Sequence, residues 1–186
     1  MKNNQIFKLI FLFSISTSAF SAGVINFTGE LVAGTCTATA AKNGATGTTN
    51  PTIILPTVNT AALGTAGNTA GKTAFQITLS GSGCTSGTAP TTITATPFFS
   101  YETAQVNTDG RVINTSSSTA GTVDIQILNN AHAVIDLTIS PIDQRLSAGT
   151  VVSSDLVYQY YAQYYAKGAA TAGSVIGSLN YNIFYK

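Results

Sequence analysis

Apolar residues recur at every second position along much of this chain. Ile25, Phe27 and Leu31 alternate with Asn26, Thr28 and Glu30. Phe75, Ile77 and Leu79 alternate with Gln76 and Thr78, and Val123, Ile125 and Ile127 with Asp124 and Gln126. Stretches 134–139, 156–164 and 179–185 follow the same rule. Successive side chains of an extended backbone point to opposite faces, so each run predicts a strand with one buried face. No helical period of useful length competes. Clusters of Gly, Ala, Thr, Ser and Asn at 42–50, 60–72 and 116–121 predict loops, with a short strand at 52–55 between the first two. Seven or more short strands without a linker or a tandem repeat predict one all-β domain, an antiparallel sandwich.

The first residues follow another pattern. Lys2 and Lys8 precede an apolar run from Leu9 to Ile15, and small residues follow to Ala22. That is the order of a secretory signal, and the run is far shorter than the roughly 20 residues a membrane span needs. Small Ala19 and Ser21 favour cleavage at 21/22, with 22/23 as the alternative. The expected organisation is a signal at 1–21, an N-terminal arm at 22–35 and a domain at 36–186.

Charge narrows the function. Only 8% of residues are charged, and removing Lys2 and Lys8 from 8 basic and 7 acidic residues leaves a net charge of about −1. No nucleic-acid or anionic-membrane footprint is expected of such a chain. A neutral surface that still forms hydrogen bonds suits packing against copies of itself.

Chemistry is sparse. Cys36 and Cys84 are the only cysteines, and export to an oxidising compartment makes a structural disulfide the natural reading. It would close a loop of about 49 residues. Two thiols and a distant histidine make a poor metal site. His132, between two alanines, lacks a nucleophile or an orienting partner at suggestive spacing, so a turn or surface position is expected. Glu30 and Glu102 are the only glutamates, and no acid–base carboxylate pair stands out. Neither an enzyme nor a cofactor is expected. Tyr158, Tyr160, Tyr161, Tyr164 and Tyr165 form the densest aromatic cluster. Core and interface packing is its main reading; sugar stacking by a secreted carbohydrate-binding module is the alternative.

The two ends carry the most specific pattern. The C-terminus runs from Gly173 to the penultimate Tyr185, with Leu179, Tyr181, Ile183 and Tyr185 on one face and Lys186 last. Ile25-x-Phe27-x-Gly29-x-Leu31 stands shortly before Cys36. Together with Cys36 and Cys84, the run from Phe75 to Leu79, Val123-Asp124-Ile125-Gln126-Ile127-Leu128 and Tyr164-Tyr165-Ala166-Lys167-Gly168-Ala169-Ala170-Thr171, this resembles subunits of chaperone–usher pili, the type 1 and P pilus families, and major pilins in particular.

The resemblance implies an incomplete, six-stranded immunoglobulin-like sandwich that lacks its last strand. A donor strand from a neighbouring subunit completes it, so the expected function is a structural fimbrial subunit of an adhesive surface fibre. A minor adaptor pilin near the tip is the alternative within the family. Ile25, Phe27, Gly29 and Leu31 would form the donor strand. Gly173, Leu179, Tyr181, Ile183, Tyr185 and Lys186 would line the groove that a periplasmic chaperone fills first. An outer-membrane usher and other pilin subunits are the further implied partners. Gly29 would fit a shallow spot in the groove, with an ordinary bulge as its alternative. Without the resemblance, the N-terminal run could equally be the first strand of a complete sandwich.

Overall fold

The period-2 runs become strands wherever two of them can face each other across a common core. A computed structural model describes residues 36–42, 47–81, 84–86, 93–115, 119–140, 143–144, 150–152 and 155–185. Ile25, Phe27, Gly29, Leu31 and Lys186 lie outside the described residues.

Eight strands are present among the described residues: β1 (Thr37–Lys42), β2 (Thr69–Ser80), β3 (Thr85–Ser86), β4 (Ile93–Phe99), β5 (Val123–Leu128), β6 (Thr150–Val152), β7 (Asp155–Ala166) and β8 (Tyr181–Tyr185). One antiparallel sheet runs β1-β2-β7-β5, with β6 paired to the start of β7; the other runs β3-β4-β8. β3 and β6 are fragments of two and three residues, which leaves six longer strands. The fold is an all-β, immunoglobulin-like sandwich.

Alternation sets which side chains meet. Phe75, Ile77 and Leu79 of β2 and Leu156, Tyr158 and Tyr160 of β7 point inward and are buried. Tyr160 stacks on Phe75 at 5.6 Å within its own sheet and meets Phe99 of β4 edge-on at 5.1 Å. The Tyr158 hydroxyl donates to the Ala95 carbonyl at 2.7 Å. One strand thus ties both sheets together. Cys36 and Cys84 are bonded and belong to the same core, so the start of β1 is fixed to the end of the β2–β3 connection.

β5 ends its sheet yet is buried at all six positions. Its outer edge is covered by Val112, bridged to Ile125, and by Val134, bridged to Leu128. This corrects the strand expected at 134–139. Ile135 and Leu137 are buried as the alternation requires, but ladder pairing stops after Ile135 bonds to Ile127. The Asp136 carboxylate accepts from both the amide and the hydroxyl of Thr138, turning the chain away. Two further expectations change. Residues 60–72 contain a 3-10 turn at Thr60–Leu63, capped by the Asn59 side chain, and β2 begins at Thr69. Residues 52–55, expected as a strand, belong to no ladder.

Candidate functional site: an open strand edge

β8 has a partner on one side only. Its register with β4 runs from Ala95 opposite Tyr185 to Phe99 opposite Tyr181. Among the described residues no strand pairs with its other side. The segment leading into β8 is tied along its length by backbone and side-chain bonds. Thr119 and Ala120 donate to the Ser174 carbonyl, Thr115 to Ile176 and Ser100 to Asn180. Asn114 accepts from the Ile176 amide, and Gln105 from that of Asn180. At Gly173, a Cβ would stand 2.3 Å from the Ala120 nitrogen. Only glycine lets the two backbones approach this closely.

The side chains along this edge alternate. Val175, Leu179, Tyr181 and Ile183 are half-buried and pack on the main core, whereas Ile176 and Tyr185 are 48% and 41% exposed. Leu179, Tyr181 and Ile183 therefore share the face expected of them, and Tyr185 lies at its open end. Burial pushes the Tyr181 phenol above its ordinary range.

A second unpaired segment faces this one. In Pro51-Thr52-Ile53-Ile54-Leu55-Pro56-Thr57-Val58, Ile53 and Leu55 are half-buried against the main core. No backbone hydrogen bond joins residues 51–58 to another segment among the described residues. The Tyr181 hydroxyl reaches across to the Thr49 carbonyl at 3.1 Å. Further along, Val58, Leu63, Val123, Tyr164 and Val175 line a cavity of about 420 Å³. The 51–58 segment and the free side of β8, both without backbone partners there among the described residues, thus border an apolar, half-covered floor. That combination is chemically suited to an added strand, whose backbone would satisfy both rims while alternate side chains fill the floor. The strand expected at 52–55 lies within this rim, but the sequence did not show that it stays unpaired.

The remaining candidates lie elsewhere. Tyr158 and Tyr160 are core residues, and burial raises both phenols. Tyr161 and Tyr165 occupy the outer face of β7. Tyr161 packs against the His132 ring at 4.3 Å, and Tyr165 lies under the Arg111 guanidinium at 4.1 Å. His132 is exposed in a turn at φ +60°, with Lys72 Nζ 3.3 Å from its Nδ1. The fully buried Asp124 holds Lys167 at 2.8 Å, accepts from Asn107 at 2.7 Å and has Arg111 Nε at 3.7 Å. These charges clasp the outer end of β5 to β7 and to the 107–111 turn. No group of three or more metal-ligating side chains converges among the described residues.

The family model described as "Fimbrial protein" matches residues 25–186. The F17 fimbrial protein of Escherichia coli is 37% identical over 190 residues, covering 96% of this chain and 99% of the relative. The major fimbrial subunit SMF-1 of Stenotrophomonas maltophilia is 36% identical over 170 residues, with coverages of 88% and 92%. A major fimbrial subunit of Haemophilus influenzae is 29% identical over 187 residues, with coverages of 88% and 86%.

Proposed function

Given that this chain belongs to the fimbrial protein family and is a structural subunit of a surface fimbrium, we propose that its open edge is filled by the N-terminal arm, residues 22–35, of the next copy. The carrying observation is the pair of unbonded backbones, 51–58 and the free side of β8, over a half-buried apolar floor. Strand donation between pilins is a known instance of β-strand addition.

The arm has the matching pattern. Ile25, Phe27 and Leu31 present one apolar face, and burying each contributes about 1.5–3 kcal/mol. Backbone bonds to both rims add about 0.5–1.5 kcal/mol apiece before the ordering cost. Gly29 leaves a gap in that face for a point where groove and strand come close. Before assembly, an open edge of this kind is an aggregation hazard. A periplasmic chaperone that lends a strand and holds the Lys186 carboxylate, followed by an outer-membrane usher, completes the scheme. The protein acts by assembly alone, without catalysis, as a repeated shaft subunit. Its relatives named major fimbrial subunits support that role.

The test is a gel of surface material in detergent, heated and unheated, for wild type, a variant lacking residues 23–33, and Gly29→Val. Wild type is expected to give a ladder of multimers that collapses on heating, and neither variant should give one. A normal ladder from the deletion variant would overturn the reading.

A further inference from the structure

Ile54 is 72% exposed, the most exposed large apolar side chain among the described residues. Its neighbours Ile53 and Leu55 face the core, so the alternation of the rim turns Ile54 outward. With Leu55 and Pro56 it lines a notch of about 420 Å³, bordered by Lys42 and Lys72. Lys72 is brought there by an irregularity in β2. The register with β7 shifts between Ala70 and Thr73, and Gly71 sits at φ +70°. Such a bulge re-aims the side chain next to it. Among the described residues neither lysine has a carboxylate within ion-pair distance; the carboxylates that are paired serve Arg111 and Lys167. Lys72 Nζ also reaches His132 Nδ1 at 3.3 Å, which leaves its charge uncompensated, so an apolar notch bordered by two lysines calls for an apolar group carrying a carboxylate.

The chain presents that group at another site. Tyr101 is 43% exposed, and exposed Glu102 follows it. The Glu102 carbonyl accepts from the amides of Gln105 and Val106, both at 2.8 Å, which fixes the turn and leaves the two side chains projecting. No cation pairs with the Glu102 carboxylate among the described residues. The other exposed apolar–acidic pairing outside the groove is Val134 with Asp136, but that carboxylate is already occupied by Thr138.

We propose that Tyr101 and Glu102 of a second copy seat in the notch between Lys42 and Lys72, as a lateral contact separate from the strand joint. The contact rests on the fibre reading above. Fibre assembly holds copies at high effective concentration, so a small contact of this kind suffices. Notch and knob are different patches. Repeating a heterologous contact between copies generates a helix when it does not close into a ring, so it would coil the fibre.

A water-soluble carbodiimide joins a carboxylate to an amine only when the two touch, releasing the oxygen as the corresponding urea. Intact fibres treated in this way and then heated in detergent are expected to give a covalent dimer. Its link should join Lys42 or Lys72 to Glu102. Lys72→Glu, which sets a like charge against Glu102, should lower dimer yield roughly tenfold. Glu102→Gln should abolish it, and the unheated ladder should survive in both variants. An intact ladder with no Glu102-linked dimer, or Glu102 linked to another protein, would overturn the proposal. A wild type without any ladder would overturn strand exchange first, and this contact with it.

Discussion

Two tyrosines one turn of the pleat apart carry different burdens. Tyr158 and Tyr160 both lie in the core, but only Tyr158 has a partner there, the Ala95 carbonyl. The Tyr160 hydroxyl is buried and bonds to none of the described residues. Removing a satisfied hydroxyl costs about 1 kcal/mol, whereas removing an unsatisfied one is near neutral or favourable. Urea unfolding should therefore show Tyr158→Phe destabilised by about 1 kcal/mol and Tyr160→Phe unchanged or more stable. Burial, and then the neighbouring Tyr158, hold the Tyr160 phenol above its ordinary value. The unfolded chain releases that proton first, at about pH 10. Stability from this group is thus complete below about pH 10 and is lost as pH rises toward the folded value. The melting temperature should fall on that alkaline limb, and less steeply in Tyr160→Phe.

At the scale of elements, an unpaired strand is stable only if its other interactions hold it in place. Side-chain bonds from Asn114 and Gln105 hold the segment before β8. Among the described residues, 51–58 are held by the packing of Ile53, Leu55 and Val58. Among the described residues their amides have no backbone partner, and the proposed donor strand would supply one. Hydrogen exchange should be fast at residues 52–55 in refolded monomer and strongly slowed in intact fibres. Equal rates in both states would mean that nothing pairs with this rim on assembly. The same comparison separates β5 from β8. Both end their sheets, but the bridges from Val112 and Val134 already cover β5, so its protection should be alike in monomer and fibre.

Across the whole molecule, an open sandwich has less core to hold it closed, and the covalent link matters accordingly. Cys36 and Cys84 lie 48 residues apart. Closing a loop of that size stabilises the fold by about 4 kcal/mol through the entropy of the unfolded chain. The double variant Cys36→Ala, Cys84→Ala should lose about that much in urea unfolding of the monomer. For a domain whose total stability is about 5–15 kcal/mol, such a loss should also cut the yield of exported subunit. An unchanged midpoint would show that the fold is held without the bond.

The sequence by itself determined the strands whose alternation is strong, at β2, β5 and β7, because side-chain parity is a local property of extended backbone. It also determined the cysteine pair, through composition and the expected export, and the family, through the patterns at the two ends. The same parity separates Tyr158 and Tyr160 from Tyr161 and Tyr165 once one face is known to be inside. Tertiary structure alone decided which edges stay open, because an edge is defined by a partner distant in sequence. It decided that 51–58 is a rim rather than a paired strand, and that the bridged edge of β5 is closed. It also buried Asp124 with Lys167 and Arg111, although the sequence shows only scattered charges. Each of these depends on which long-range contacts form, and their free energy comes from surfaces that meet only after the chain has folded.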